Sequence, residues 1–170
     1  MAKRITTIPA TISRVAAAPT GSREKRKVAG YARVSTDMDA QQTSYEAQLD
    51  YYENYIKGHD GWEFAGMYSD EGISATSTQH RSGFNTMIED ALSGKIDLII
   101  TKGVTRFARN TMDSLSTIRK LKENGTECYF EKENIWTFDS KGELLITIMS
   151  SLAQEESRSI SENCTWGQRK

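Results

Sequence analysis

A serine two residues beyond an arginine, at the end of a short run of small and apolar residues, is the chemically loaded part of this chain. In Gly30-Tyr31-Ala32-Arg33-Val34-Ser35-Thr36-Asp37, extended backbone puts Tyr31, Arg33 and Ser35 on one face, because successive side chains of a strand alternate. A hydroxyl beside a guanidinium suits attack on an anionic phosphate, since arginine stays charged and offers phosphate oxygens a fixed fork of donors. These eight residues alone read first as the opening strand of an α/β domain, with Arg33 solvated and Ser35 capping the next helix. Two later groups shift the balance. Ser69 to Arg81 reads as a polar, glycine-bearing loop containing Asp70 and Arg81, long enough to suggest function. Lys102 to Asn110 follows an apolar run and contains Lys102, Arg106 and Arg109.

Arg106 and Arg109 are three residues apart and share a face if a helix begins early. Cations at a helix N-terminus oppose the macrodipole unless an anion offsets them, and an unpaired Arg33 among apolar neighbours is costly. A bound phosphate relieves both. The chain has no GxxxxGK[ST] loop for a nucleotide, no histidine placed to serve Ser35 and no GxSxG elbow, which argues against nucleoside triphosphate binding and against ester or peptide hydrolysis. Arginine-rich surroundings fit phosphoryl transfer, where catalysis is positioning plus charge stabilisation.

The elements that must position these residues follow from periodicity. A strand is predicted over Lys27 to Val34, then a helix over Ser44 to Lys57 with Tyr45, Leu49, Tyr52 and Ile56 on one face, Ser44 as N-cap and Gly58 as the C′ residue. Trp62 to Tyr68 alternates as a second strand. Phe84, Met87, Ile88, Ala91 and Leu92 make a helical stripe ending at Gly94. Asp97 to Thr101 is the near-continuous apolar run of a central parallel strand buried on both faces. Thr111 to Asn124 reads as a helix with Met112, Leu115, Ile118 and Leu121 inward and Gly125 closing it. Glu127 to Glu131 is a fourth strand and Ile135 to Phe138 a short fifth. From about Asp139 a helical pattern runs to Lys170, with Leu144, Leu145, Ile148, Met149, Leu152 and Ile160 along it, far longer than an ordinary helix, so its far end projects from the domain toward another subunit or DNA. Strands alternating with helices give an α/β fold with a mainly parallel sheet flanked by helices. Active sites of such sheets form outside the carboxyl ends of the strands, so the loops bearing Ser35, Asp70 with Arg81, and Lys102 with Arg106 and Arg109 converge on one edge.

Composition bounds the rest. The 170 residues, 37% hydrophobic, suffice for one well-buried domain. Net charge is -1, but residues 1–27 hold seven Lys/Arg against one Glu, which leaves 15 basic and 22 acidic residues beyond them. The globular part is therefore not a general nucleic-acid binder by charge. The opening segment reads as a basic arm, either disordered or touching DNA, and its apolar stretch from Arg14 to Pro19 is too short for a signal core. Cys128 and Cys164 have no metal or disulfide spacing and read as free thiols in a reducing compartment; His59 and His80 stand apart from both. No apolar run approaches the ~20 residues of a membrane span.

Taken in order, Tyr31-Ala32-Arg33-Val34-Ser35-Thr36, Ser44-x-x-x-Gln48, Tyr68-Ser69-Asp70-Glu71-Gly72-Ile73-Ser74, Arg81-x-Gly83-Phe84, Arg106-Phe107-Ala108-Arg109-Asn110 and Ala153-Gln154-Glu155-Glu156-Ser157-Arg158 closely resemble the catalytic domain of serine site-specific recombinases. The likeness covers Lys27 to Lys170 and is greatest to the large serine recombinases, the integrases and transposases of mobile elements. It implies a resolvase-like fold in which Ser35 attacks a DNA phosphodiester, joins the 5′ phosphate and releases a 3′ hydroxyl, without metal or other cofactor. Arg33, Arg106 and Arg109 then hold the scissile phosphate, Gln48, Asp70, Arg81 and Lys102 support them, and Tyr31 shapes the pocket. The implied partners are double-stranded DNA and further copies of the chain, a dimer assembling to a tetramer at synapsis, with no membrane and no small-molecule substrate. The implied setting is a bacterial or phage-encoded enzyme acting on DNA in the cytoplasm.

Under this reading residues 1–27 are the arm, 28–138 the catalytic domain and 139–170 the helix for oligomerisation and DNA contact, with the family's sequence-reading DNA-binding part expected after Lys170. One departure stands out: small resolvases place an aspartate just before the first arginine of the Arg-x-x-Arg pair, and this chain has Thr105 there, so the group that deprotonates Ser35 is open. Competing readings are a phosphatase or nuclease that uses Ser35 and the arginines hydrolytically, and a domain that only dimerises and binds DNA.

Overall fold

The apolar run that ends at Thr101 sits at the centre of the molecule. In a computed structural model of the protein, which describes residues 24–35, 39–72, 81–107 and 111–167, strand β3 (Leu98–Thr101) is buried at every position. It lies between β1 (Arg26–Ser35) and β4 (Glu127–Phe130), with β2 (Trp62–Gly72) and β5 (Ile135–Trp136) at the edges, in the order β2-β1-β3-β4-β5. All pairings are parallel except that of β4 with β5, which is antiparallel. The mainly parallel sheet expected from the alternating pattern is therefore present.

The alternation of side chains divides the core in two. Val28, Leu98 and Ile100 point to one face and pack with Tyr52 and Ile56 of helix α1 (Asp39–Lys57). Ala29, Tyr31, Ile99, Cys128 and Phe130 point to the other. There they meet Phe84, Met87 and Ala91 of α2 (Ser82–Leu92), Phe107 of the short α3 (Val104–Phe107), and Leu115, Ile118 and Leu121 of α4 (Thr111–Glu123). Met149 and Ala153 of the last helix, α5 (Ser140–Gly167), complete that face.

Several local expectations are corrected. Helix α1 begins at Asp39, not Ser44, so Ser44 lies inside the helix and is not its N-cap. Gly94 and Gly125 take positive φ (85° and 82°) after their helices, as C′ glycines do, whereas Gly58 is not among the positive-φ glycines of the described residues. Strand β2 continues to Gly72, so Asp70 belongs to a strand and not to the loop assigned to residues 69–81; residues 73–80 lie outside the described residues. Met112, expected inward, is exposed. The last helix is long, as its pattern implied. Beyond Ala153 its residues to Ser161 are exposed, and Leu144, Ile148 and Leu152, spaced four apart, form an exposed apolar row.

One irregularity decides what meets at the sheet's carboxyl edge. The β1/β2 register shifts between Val28 and Ala29, where Val28 pairs with Phe64 but Ala29 with Gly66. Gly66 has φ 147°, a conformation L side chains rarely adopt, and the extra residue is a β-bulge. From there on Tyr31 faces Tyr68, Arg33 faces Asp70 and Ser35 faces Gly72.

Candidate active site

The carboxyl edge is held by a buried network around Asp70, which is 5% exposed. Its carboxylate accepts hydrogen bonds from the Tyr31 hydroxyl (3.0 Å) and from the backbone N–H groups of Gly83 (2.8 Å) and Phe84 (2.9 Å). The two amides belong to the first turn of α2, which has no side-chain cap of its own. A carboxylate on the neighbouring strand thus serves the unsatisfied N–H groups and the positive end of the helix.

Arg81, immediately before α2, links this network to the next loop. Its Nη2 donates to the Tyr31 hydroxyl (3.1 Å) and to the carbonyls of Arg106 (3.1 Å) and Phe107 (2.9 Å). Its guanidinium lies 4.0 Å from the centroid of the Phe84 ring, a cation–π geometry. The Tyr31 hydroxyl therefore donates to Asp70 and accepts from Arg81, which only a neutral phenol can do. Burial pushes its pKa above the ordinary tyrosine value, outweighing the opposing hydrogen bond and charge of Arg81, with Asp70 adding to the rise.

Beneath these polar groups runs a row of edge-to-face rings: Tyr31 with Phe84 (5.4 Å), Phe84 with Phe107 (5.2 Å) and Phe107 with Phe130 (5.6 Å). Phe107 is fully buried while its neighbour Arg106 is exposed. The anchored ring and the two carbonyls taken by Arg81 fix α3, and Arg106 is carried outward at the edge.

On the α1 side of the same edge, Ala47, Gln48, Tyr51, Tyr52, Lys102, Glu131 and Lys132 line an open cleft of about 480 Å³. Lys102 follows β3 and Glu131 follows β4, and their backbones continue the strand pairing: Glu131 N–H donates to the Thr101 carbonyl (3.0 Å) and Lys132 N–H to that of Lys102 (2.8 Å). Tyr51 and Tyr52 donate to the two oxygens of Glu131 (2.8 and 3.3 Å). Tyr45, earlier on α1, bonds the Ser69 hydroxyl of β2.

Of the residues singled out from sequence, Tyr31, Asp70, Arg81 and the Arg106 backbone are joined by direct hydrogen bonds, and Gln48 and Lys102 share the cleft. Arg33 lies one alternation beyond Tyr31, partly exposed, opposite Asp70. Ser35 is the last residue of β1; its side chain, and Arg109 entirely, lie outside the described residues. Sequence reasoning did not single out Glu131 or the tyrosine pair. The available signal was a charged residue at a strand's carboxyl end, where the other site loops also start. Among the described residues no three His, Cys, Asp or Glu side chains cluster as a metal site, and no helix is long and apolar enough to cross a membrane.

The family model described as Resolvase, N terminal domain matches residues 28–170. This chain belongs to that family. A resolvase of Clostridium perfringens (strain 13 / Type A) is 32% identical over 145 residues, 82% of this chain and 69% of the relative. The transposon Tn3 resolvase of Escherichia coli is 28% identical over 141 residues, 83% and 69% of the two chains. Among solved structures, a resolvase family site-specific recombinase from Streptococcus pneumoniae aligns with TM-score 0.69 and 33% identity over 86% of this chain and all of the other. The N-terminal catalytic domain of TP901-1 integrase aligns with TM-score 0.63 and 26% identity, over 78% of this chain and 98% of the other. The resolvase-like fold is thereby established, and the chain is a serine recombinase, an enzyme of site-specific DNA recombination.

Proposed function

We propose that this domain cleaves and rejoins double-stranded DNA with Ser35 as the nucleophile and Arg33, Arg106 and Arg109 as the cations that grip the scissile phosphate. The Ser35 oxygen attacks phosphorus; the bond from phosphorus to the 3′ oxygen breaks, and the phosphate stays on Ser35 as a 5′ phosphoserine ester. The serine proton passes to water at the open edge, and the departing 3′ oxygen takes one up. No electron is gained or lost, and the reverse attack by a 3′ hydroxyl reseals the strand. Charge that builds on the phosphoryl oxygens is stabilised by these guanidinium groups. The reaction proceeds in a tetramer formed from two dimers, with the exposed Leu144, Ile148 and Leu152 row of α5 as the surface between subunits.

The observation that supports these roles most is the Tyr31–Asp70–Arg81 network, which ties the ends of β1 and β2 to α3 and so brings the Arg33 and Arg106 positions to one edge. A structural domain has no need to hold arginines outward at the one edge where a strand ends in serine.

The test uses the protein's own recombination site with a nick beside the scissile phosphate, so that the cleaved strand diffuses away. After denaturation and proteolysis, mass spectrometry should find DNA joined through a 5′ phosphate to Ser35, and Ser35→Ala should fold normally yet form no joint. A joint that survives in Ser35→Ala would refute the assignment. Turnover of small phosphate esters without any protein–DNA joint would point instead to a hydrolytic enzyme.

A further inference from the structure

Glu131 is a carboxylate on a rigid mount. Its backbone extends the β3/β4 ladder through the Thr101 carbonyl, and the turn behind it closes when Asn134, at φ 51°, donates its N–H to the Glu131 carbonyl (3.2 Å). Both carboxylate oxygens reach across the cleft to consecutive tyrosines of α1. Tyr51 is half exposed whereas Tyr52 is buried at 3%, so one carboxylate bridges the solvent-facing and core-facing sides of that helix. Gln48 precedes the two tyrosines by three and four residues and therefore lies one turn away on the same face, lining the cleft with Lys102.

We propose that Glu131 is a positioning residue for recombination: by accepting hydrogen bonds from both Tyr51 and Tyr52, it fastens the Gln48 turn of α1 to the end of β4 and fixes the cleft wall beside the cleavage site. The proposal rests on reading this sheet edge as the cleavage site. A carboxylate is well suited to the task, because its two oxygens accept from two donors at once. A wall displaced by about 1 Å is enough to slow a positioned reaction on the order of a hundredfold. The surroundings agree: the Glu131 hydrogen bond is the leading cause that raises the Tyr51 pKa, and Glu131 adds to the burial that raises that of Tyr52.

The experiment measures the rate of covalent joint formation on the nicked site, together with DNA affinity. Glu131→Ala should slow the joint about tenfold or more with affinity unchanged, and Glu131→Gln, which keeps one acceptor oxygen, should recover part of that loss. The Tyr51→Phe, Tyr52→Phe double variant keeps both rings in place and should lose rate to the same extent. Adding Glu131→Ala to it should cost nothing further, because the three side chains act as one unit. In spectroscopic titration, Glu131→Gln should bring Tyr51 down toward the ordinary value near 10.

A correctly folded Glu131→Ala protein that forms the joint at the parental rate would overturn the proposal. So would losses that multiply in the combined variant, or a fall in affinity that accounts for the fall in rate. If Glu131→Ala does not fold, the two-phenylalanine variant decides alone. A joint that persists in Ser35→Ala would instead reject the cleavage-site reading itself, whatever the Glu131 variants do.

Discussion

Replacing Asp70 by alanine should be among the most damaging single changes outside the chemistry itself. The carboxylate is buried and accepts three hydrogen bonds, two of them from the otherwise uncapped first turn of α2. Hydrogen bonds to a charged group contribute about 1.5–3 kcal/mol each, and removing the acceptor leaves buried donors unmet. Partial relaxation and water entry reduce the sum, so a loss of about 4 kcal/mol is expected, near the upper end for point substitutions. For a domain of this size that is a drop in Tm of roughly 8–16 °C. Asp70→Asn keeps one oxygen but turns an amide N–H toward a backbone N–H, and should lose about 2 kcal/mol. Urea unfolding at neutral pH, with slopes compared to exclude a changed denatured state, measures both. An alanine variant within about 1 kcal/mol of the parent, or an asparagine variant less stable than the alanine one, would show that Asp70 does not anchor α2.

Three further outcomes are expected. A Cβ on Gly83 would lie 2.2 Å from the Ser69 carbonyl oxygen and 2.8 Å from its carbon, so Gly83→Ala must push α2 off β2; a loss of about 1–3 kcal/mol and slower joint formation should appear together in unfolding and cleavage assays. Tyr68 is pushed up to about 12, mainly by burial with the Asp90 hydrogen bond adding, and Tyr31 is also raised. Below pH 10 these groups are protonated in both folded and unfolded chains. Between about 10 and 12 the unfolded chain loses those protons first and is favoured, so the urea midpoint should fall steadily over that window and Tyr68→Phe should flatten the fall. Cys128 is fully buried and its thiol is pushed up by desolvation; in a Cys164→Ser background a thiol reagent should label it only after unfolding, in step with the loss of circular dichroism.

How far the sequence carries can be followed residue by residue. Leu98-Ile99-Ile100-Thr101 declared a strand buried on both faces because a near-continuous apolar run of strand length suits a central parallel strand covered on both sides. The glycines at 94 and 125 marked helix ends because each takes a backbone conformation that other residues resist. The ordered motifs around Ser35, Asp70, Arg81 and Arg106 pointed to the family, since residue types at fixed spacings survive without any knowledge of contacts. Where the sequence misled, the winning term was non-local. Ser44 carried a cap signal, but α1 continues back to Asp39. Met112 fitted the inward stripe of α4, yet it lies on the side of the helix turned away from the core and is exposed.

The site itself was decided in three dimensions. A strand slip of one residue turns every side chain to the opposite face, and the bulge at Gly66 supplies that slip. Without it Arg33 would face Ser69, and Asp70 would point away from Tyr31 and from the amides of α2. Likewise nothing local ties Glu131 to tyrosines some 80 positions earlier; only the order of the strands sets β4 where α1 can reach it. Local chemistry thus marked which residues are candidates for the reaction, because spacing and side-chain type are written in the chain. Which of them meet, and which are held still, depended on register and packing that exist only once the sheet has closed.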